Sequence, residues 1–106
     1  MSEWIKVANC QQLANGEHLI VELKGQEIVL FKHDNQFYAI EDRCSHDNGS
    51  IAQGQIEAGE IICPRHGARF CLKTGQYRSP PAYENISCFP VLVNNESVYV
   101  AESAED

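Results

Sequence analysis

Long apolar runs are missing from this chain. No stretch approaches the roughly eighteen apolar residues that a membrane span requires, so no membrane partner is expected. The opening Met1-Ser2-Glu3-Trp4 has no basic segment leading into an apolar one, and the expectation is a chain without a secretory signal. Positive charge is scarce: 8 Lys and Arg stand against 15 Asp and Glu, a net −7. Nucleic acid is thereby disfavoured as a partner, because phosphate binding calls for a basic stripe. No G-x-G-x-x-G loop is present, which excludes the usual dinucleotide cradle. No segment longer than about a dozen residues carries a persuasive helical stripe, and repeats, linkers and low-complexity tracts are absent. The 5 cysteines are an odd number for a disulfide framework, and a reducing cytoplasm suits them better.

What is present is a series of short apolar runs punctuated by turn residues, which reads as all-β. The 106 residues, 43% of them hydrophobic, predict a single domain over 1–106. Such a chain buries roughly two-thirds of its unfolded surface. Strands are predicted over Trp4–Ala8, His18–Lys24, Glu27–His33 and Gln36–Glu41, with tight turns at Lys24-Gly25-Gln26 and Asp34-Asn35. Further strands are expected over Glu60–Cys63, Arg69–Lys73, Ile86–Val93 and Ser97–Ala101, the last two joined across Asn94-Asn95-Glu96. One helical turn is expected within Gln11–Gly16, and 102–106 form a short acidic tail.

Chemistry is concentrated in two short segments, Cys44-Ser45-His46 and Cys63-Pro64-Arg65-His66, which together read C-x-H-x16-C-x2-H. Each follows a predicted strand and offers one thiolate and one imidazole. Two Cys and two His also make a tetrahedral zinc set, but zinc modules usually bring a like pair, C-x2-4-C or H-x3-5-H. Neither segment does. Mixed pairs on facing loops allow both sulfurs to go to one iron and both nitrogens to another, the ligation of a Rieske-type [2Fe–2S] centre. With Pro64 after the second Cys and Gly67 after the second His, the chain resembles the Rieske family.

That resemblance implies a Rieske (ISP-like) domain of stacked antiparallel β-sheets, with a cluster-binding subdomain formed by two loops within about residues 43–82. It implies one [2Fe–2S] cluster on Cys44, His46, Cys63 and His66, with the histidines at an exposed tip. Family members of respiratory and photosynthetic complexes carry one more Cys per loop, joined as a bracing disulfide. The matching positions here are Gly49 and Arg65. Those relatives also place Ser and Tyr hydroxyls as donors to cluster and ligand sulfurs, where this chain has Ala68 and Phe70. Donors to sulfur favour the reduced state, so a low potential is expected, near about −150 mV and not above about +100 mV. Ser79-Pro80-Pro81-Ala82 resembles the proline-containing third loop that shields the cluster, and reads equally as a rigid connector.

The subclass most resembled is the soluble ferredoxin of bacterial aromatic-ring dioxygenase systems. A flavin reductase passes electrons from NAD(P)H to such a ferredoxin, which carries them singly to a terminal oxygenase. The expected role is thus electron transfer without catalytic turnover, by a monomer in the cytoplasm. An oxygenase is excluded on inventory, because a mononuclear iron site needs two further histidines and a carboxylate. Only His18 and His33 remain, both read as surface residues at strand ends. The alternative is a small Rieske-like subunit of an assimilatory NAD(P)H nitrite reductase.

Three smaller expectations complete the reading. Cys71 and Cys88 are taken as small buried hydrophobes, with Cys10 nearer the surface. Phe37, Tyr38, Phe70, Tyr77 and Phe89 are taken as core or cluster-covering residues. Residues 43–78 hold Arg43, Arg65, Arg69, Lys73 and Arg78 against Asp47, Glu57 and Glu60, a mildly basic end on an acidic body. Arg65, between the second Cys and second His, is the candidate docking cation there. Its replacement by Glu is expected to slow electron delivery and leave the cluster spectrum intact.

Overall fold

The computed structural model describes residues 4–45, 49–80 and 84–101. Within them eleven strands form three antiparallel sheets, with no α-helix and one 3-10 turn at Cys10–Gln12. The first sheet joins β1 (Trp4–Asn9), β11 (Ser97–Ala101) and β10 (Val91–Asn94) in that order. The second runs β2 (His18–Leu23), β3 (Gln26–His33), β4 (Gln36–Glu41) and β9 (Cys88–Phe89). The third, which carries the second ligand segment, runs β5 (Gln55–Glu57), β6 (Glu60–Ile62), β7 (Arg69–Cys71) and β8 (Tyr77–Ser79).

Tight two-residue turns set the registers. Lys24-Gly25, Asp34-Asn35, Ala58-Gly59 and Asn95-Glu96 all have positive φ at both positions, the backbone that matches the twist of a hairpin. Register then decides which side chains share a face. In β3 the run Ile28, Val29, Leu30, Phe31 is buried throughout, because the second sheet is the middle layer. Ile28, Leu30, Ala39 and Phe89 face the first sheet, packing with Val98 and Val100. Val29, Phe31 and Ile40 face the other way and pack with Ile51, Ile61, Phe70 and Leu72. Full burial of each such side chain stabilises the fold by about 1.5–3 kcal/mol. The stacked antiparallel sheets expected from the family resemblance are therefore present.

Two segments depart from the expected strands. The run predicted as one strand over Ile86–Val93 divides at Pro90, which has no N–H for a ladder. β9 joins β4 in the middle sheet, and β10 crosses to β11 in the first. The third sheet also gains β5 and β8, neither expected. The β5–β6 turn uses Ala58 at φ 53°, a residue that gives no turn signal in the sequence.

Candidate metal centre

β4 ends at Glu41, and the chain turns at once into the first ligand segment. Asp42 organises that segment. Its carboxylate is largely buried and accepts from the Ser50 hydroxyl at 2.8 Å and from the amides of Ile51 and Ala52 at 2.9 and 3.0 Å. The loop is closed a second time by the Cys44 amide, which donates to the Gly49 carbonyl at 2.8 Å. The second segment is a tight turn between β6 and β7. The Cys63 amide donates to the Ala68 carbonyl at 2.7 Å, and the Gly67 amide to the Cys63 carbonyl at 3.0 Å.

Cys44 and Cys63 are both fully buried and lie in the same apolar core as Ile51, Ala68 and Phe70. None of the five cysteines is joined in a disulfide. Pro64, Arg65, His66 and Gly67 are exposed on the rim of the second loop. His46, with Asp47 and Asn48, lies outside the described residues, as do Pro81 and Ala82 of the third loop and the tail 102–106. Among the described residues no three His, Cys, Asp or Glu side chains gather round one point. A two-iron core does not require that, since it takes thiolates on one iron and imidazoles on the other. Two buried thiols on separate loops, with an imidazole on the adjoining surface, fit such a group.

Other contacts tie the loops together, and no local sequence signal announced them. The Ser45 hydroxyl donates to the Glu84 carbonyl at 2.6 Å, joining the first ligand loop to the chain beyond the third loop. Glu41 accepts from the Ser87 amide at 3.0 Å and pairs with Arg43 at 2.7 Å. That hydrogen bond raises the Arg43 guanidinium further above its ordinary value against partial burial, which works to lower it. Arg65 reaches back across the site, its Nη1 donating to the Ser50 carbonyl at 2.7 Å. A variant at Arg65 therefore perturbs loop contacts as well as surface charge.

Basic residues of the 43–78 segment pair with its own carboxylates. Arg69 pairs with Glu57 at 2.9 Å and Glu60 at 3.3 Å, and Arg78 approaches Glu60 at 3.9 Å. Hydrogen bonds from Glu57 and then Glu60 raise the Arg69 guanidinium above its usual value. Cys88 is buried as expected, but Cys71 is only half-buried. Burial pushes the Cys71 thiol up, while hydrogen bonds with Thr74, Arg78 and the backbone of Lys73 and Thr74 outweigh it and hold the thiol below its ordinary value. His18 and His33 are half-buried, lining a shallow cleft with Phe31, Gly54 and Gln55. Phe37 and Tyr38 are half-buried and Phe70 and Phe89 buried, whereas Tyr77 is 45% exposed.

Comparison with known proteins agrees with this geometry. Residues 3–90 match the Rieske [2Fe-2S] domain, so this chain belongs to that family. Its cofactor is accordingly a Rieske-type cluster, for which two Cys and two His ligands are characteristic. The chain is 38% identical over 100 residues to the 3-phenylpropionate/cinnamic acid dioxygenase ferredoxin subunit of Photorhabdus laumondii, covering 93% of this chain and 94% of that one. It is 30% identical over 96 residues to the biphenyl dioxygenase ferredoxin subunit of a Pseudomonas species, covering 90% and 88%. One chain of the complex of reduced oxygenase and oxidized ferredoxin in carbazole 1,9a-dioxygenase superposes with a TM-score of 0.90 at 32% identity, covering 97% and 96%. A putative NADH-dependent nitrite reductase small subunit from Mycobacterium tuberculosis shares the fold at a TM-score of 0.86, with 19% identity.

Proposed function

We propose that this chain is a one-electron carrier holding its cluster on Cys44, His46, Cys63 and His66, and passing electrons from an NAD(P)H-dependent flavin reductase to a terminal Rieske oxygenase in aromatic-compound dioxygenation. The observation that carries the reading is the pair of buried cysteines, Cys44 and Cys63, one from each loop and neither in a disulfide, with His66 exposed on the rim. When bound, a [2Fe–2S] centre supplies storage for a single electron. The chain's residues do the rest. The core around Cys44 and Cys63 excludes water from the sulfurs, and the hydrogen bonds of Asp42 and of the Cys63 turn hold both loops still. Rigid loops on strand ends keep reorganisation small as charge changes. Pro64, His66 and Gly67, with the exposed cation Arg65 among them, offer a partner a surface beside the proposed ligands.

Relatives named as ferredoxin subunits of cinnamic acid and biphenyl dioxygenases, and a ferredoxin seen with its oxygenase, support an aromatic-ring system. The reductase as donor, the monomeric state and the cytoplasmic setting belong to the same proposal; five cysteines with no disulfide between them support the last. We read residues 1–106 as one domain with its cluster-binding portion at about 43–82, and the 12.8 Å radius of gyration suits a single body of that length. No helix among the described residues is long and apolar enough to cross a membrane. The nitrite reductase subunit alternative rests on shared fold alone.

The test is an electron paramagnetic resonance spectrum of the dithionite-reduced protein, then stopped-flow reduction by a flavin reductase with NADH. A spectrum of mixed His and Cys ligation, with single-electron transfer onward to an oxygenase, is expected. A colourless or zinc-loaded protein contradicts the site. Stable co-purification with a sirohaem protein contradicts the shuttle.

A further inference from the structure

Arg65 sits between Cys63 and His66, yet its guanidinium serves the opposite loop. Nη1 donates to the Ser50 carbonyl at 2.7 Å. The plane of the group also lies over Gly49, where an added Cβ would stand 2.7 Å from Cζ and Nη2 and 3.0 Å from Nε. No side chain fits there while Arg65 holds this pose. What the structure shows at Gly49 is a steric requirement. Its lack of a side chain makes room for Arg65. The Gly49 carbonyl in turn accepts the Cys44 amide at 2.8 Å, and the Ser50 hydroxyl donates to Asp42. A residue flanked by one pair of ligands therefore grips the two residues that close the loop of the other pair.

We propose that Arg65 is a positioning residue which locks the two ligand loops together, with Gly49 as its steric partner, and so governs how tightly the cluster is retained. The planar fork is what allows packing on Gly49 and donation to Ser50 at once; a lysine ammonium is a point donor on a flexible stem. The proposal rests on the ligand assignment above, and its test separates the two. Wild type, Arg65→Ala, Arg65→Lys, Gly49→Ala and the Arg65→Ala/Gly49→Ala double variant are compared for rate of cluster loss to an iron chelator.

Loss should be about tenfold faster in Arg65→Ala, the scale of one charge-assisted hydrogen bond, and intermediate in Arg65→Lys. Gly49→Ala should speed loss with Arg65 present and add little once Arg65 is gone, because its effect is to displace the guanidinium. The midpoint potential should fall in Arg65→Ala and hold in Arg65→Lys, since a positive charge beside the centre favours its reduced state. Hydrogen exchange of the 43–52 segment, which needs no metal, should quicken in Arg65→Ala and Gly49→Ala alike. Equal costs of Gly49→Ala in both backgrounds, or unchanged exchange, would overturn the clamp. Absence of a cluster in wild type, with exchange shifted as expected, would overturn the ligand assignment and leave the clamp standing.

Discussion

Asp42 carries more of the first ligand loop than any residue nearby. One carboxylate oxygen, Oδ1, takes a hydroxyl and two buried amides; in Asp42→Ala the Ser50 hydroxyl and the Ile51 amide lose this acceptor, and the Ala52 amide keeps only the longer bond to Ser50 Oγ at 3.3 Å. An unsatisfied buried donor costs about 1–3 kcal/mol, so the variant should lose roughly 2–4 kcal/mol and much of its cluster. Asp42→Asn keeps an oxygen in place and should cost less than half as much. Thermal loss of visible circular dichroism gives the ranking, and equal midpoints for the two variants contradict it. None of this was legible beforehand: an Asp two residues before a Cys is unremarkable until the chain returns at Ser50.

Short loops between strands work here because backbone approaches backbone. A Cβ on Gly54 would run into the Ile62 carbonyl oxygen, immediately before Cys63. No rotamer change relieves a clash with main chain, so Gly54→Ala must push β6 and the second ligand loop aside. Its cluster occupancy, measured as iron per protein, should fall well below that of Gly16→Ala. Gly16 meets nothing within 4 Å, although its φ of 91° leaves a cost of strain. Comparable occupancy in the two variants would count against the contact. The hairpins over 18–41 and 91–101 were readable because their turns and alternation are local. β5 and β8, of three residues each, were not, since they exist only as partners of β6 and β7.

The electronic character of the whole centre follows from what surrounds the sulfurs. Ala68 and Phe70 are fully buried in the core that holds Cys44 and Cys63, and neither has a hydroxyl to donate. The potential should fall near the low end of the Rieske range, about −150 mV. Phe70→Tyr should raise it if the new hydroxyl reaches sulfur, with Leu72→Met as a control in the same core. Voltammetry decides the matter: a wild-type midpoint above about +100 mV contradicts the assignment. Over the same molecule the net charge of −7 remains, but Arg43 and Arg69 are paired locally with Glu41 and with Glu57 and Glu60. Of these pairs only Arg43–Glu41 joins the basic segment to the acidic remainder; those of Arg69 lie within the segment and leave its balance unchanged.

Ligand chemistry, ligand spacing and most hairpins were written into the linear order of residues, because donor type, turn preference and alternation act over a few neighbours. The reach of Arg65 to Gly49 and Ser50, the return of the chain onto Asp42 and the split at Pro90 between two sheets were settled only in three dimensions. Each joins groups that lie far apart in the chain or belong to different layers. Such contacts depend on how the sheets stack, and stacking is a property of buried area summed over the whole core.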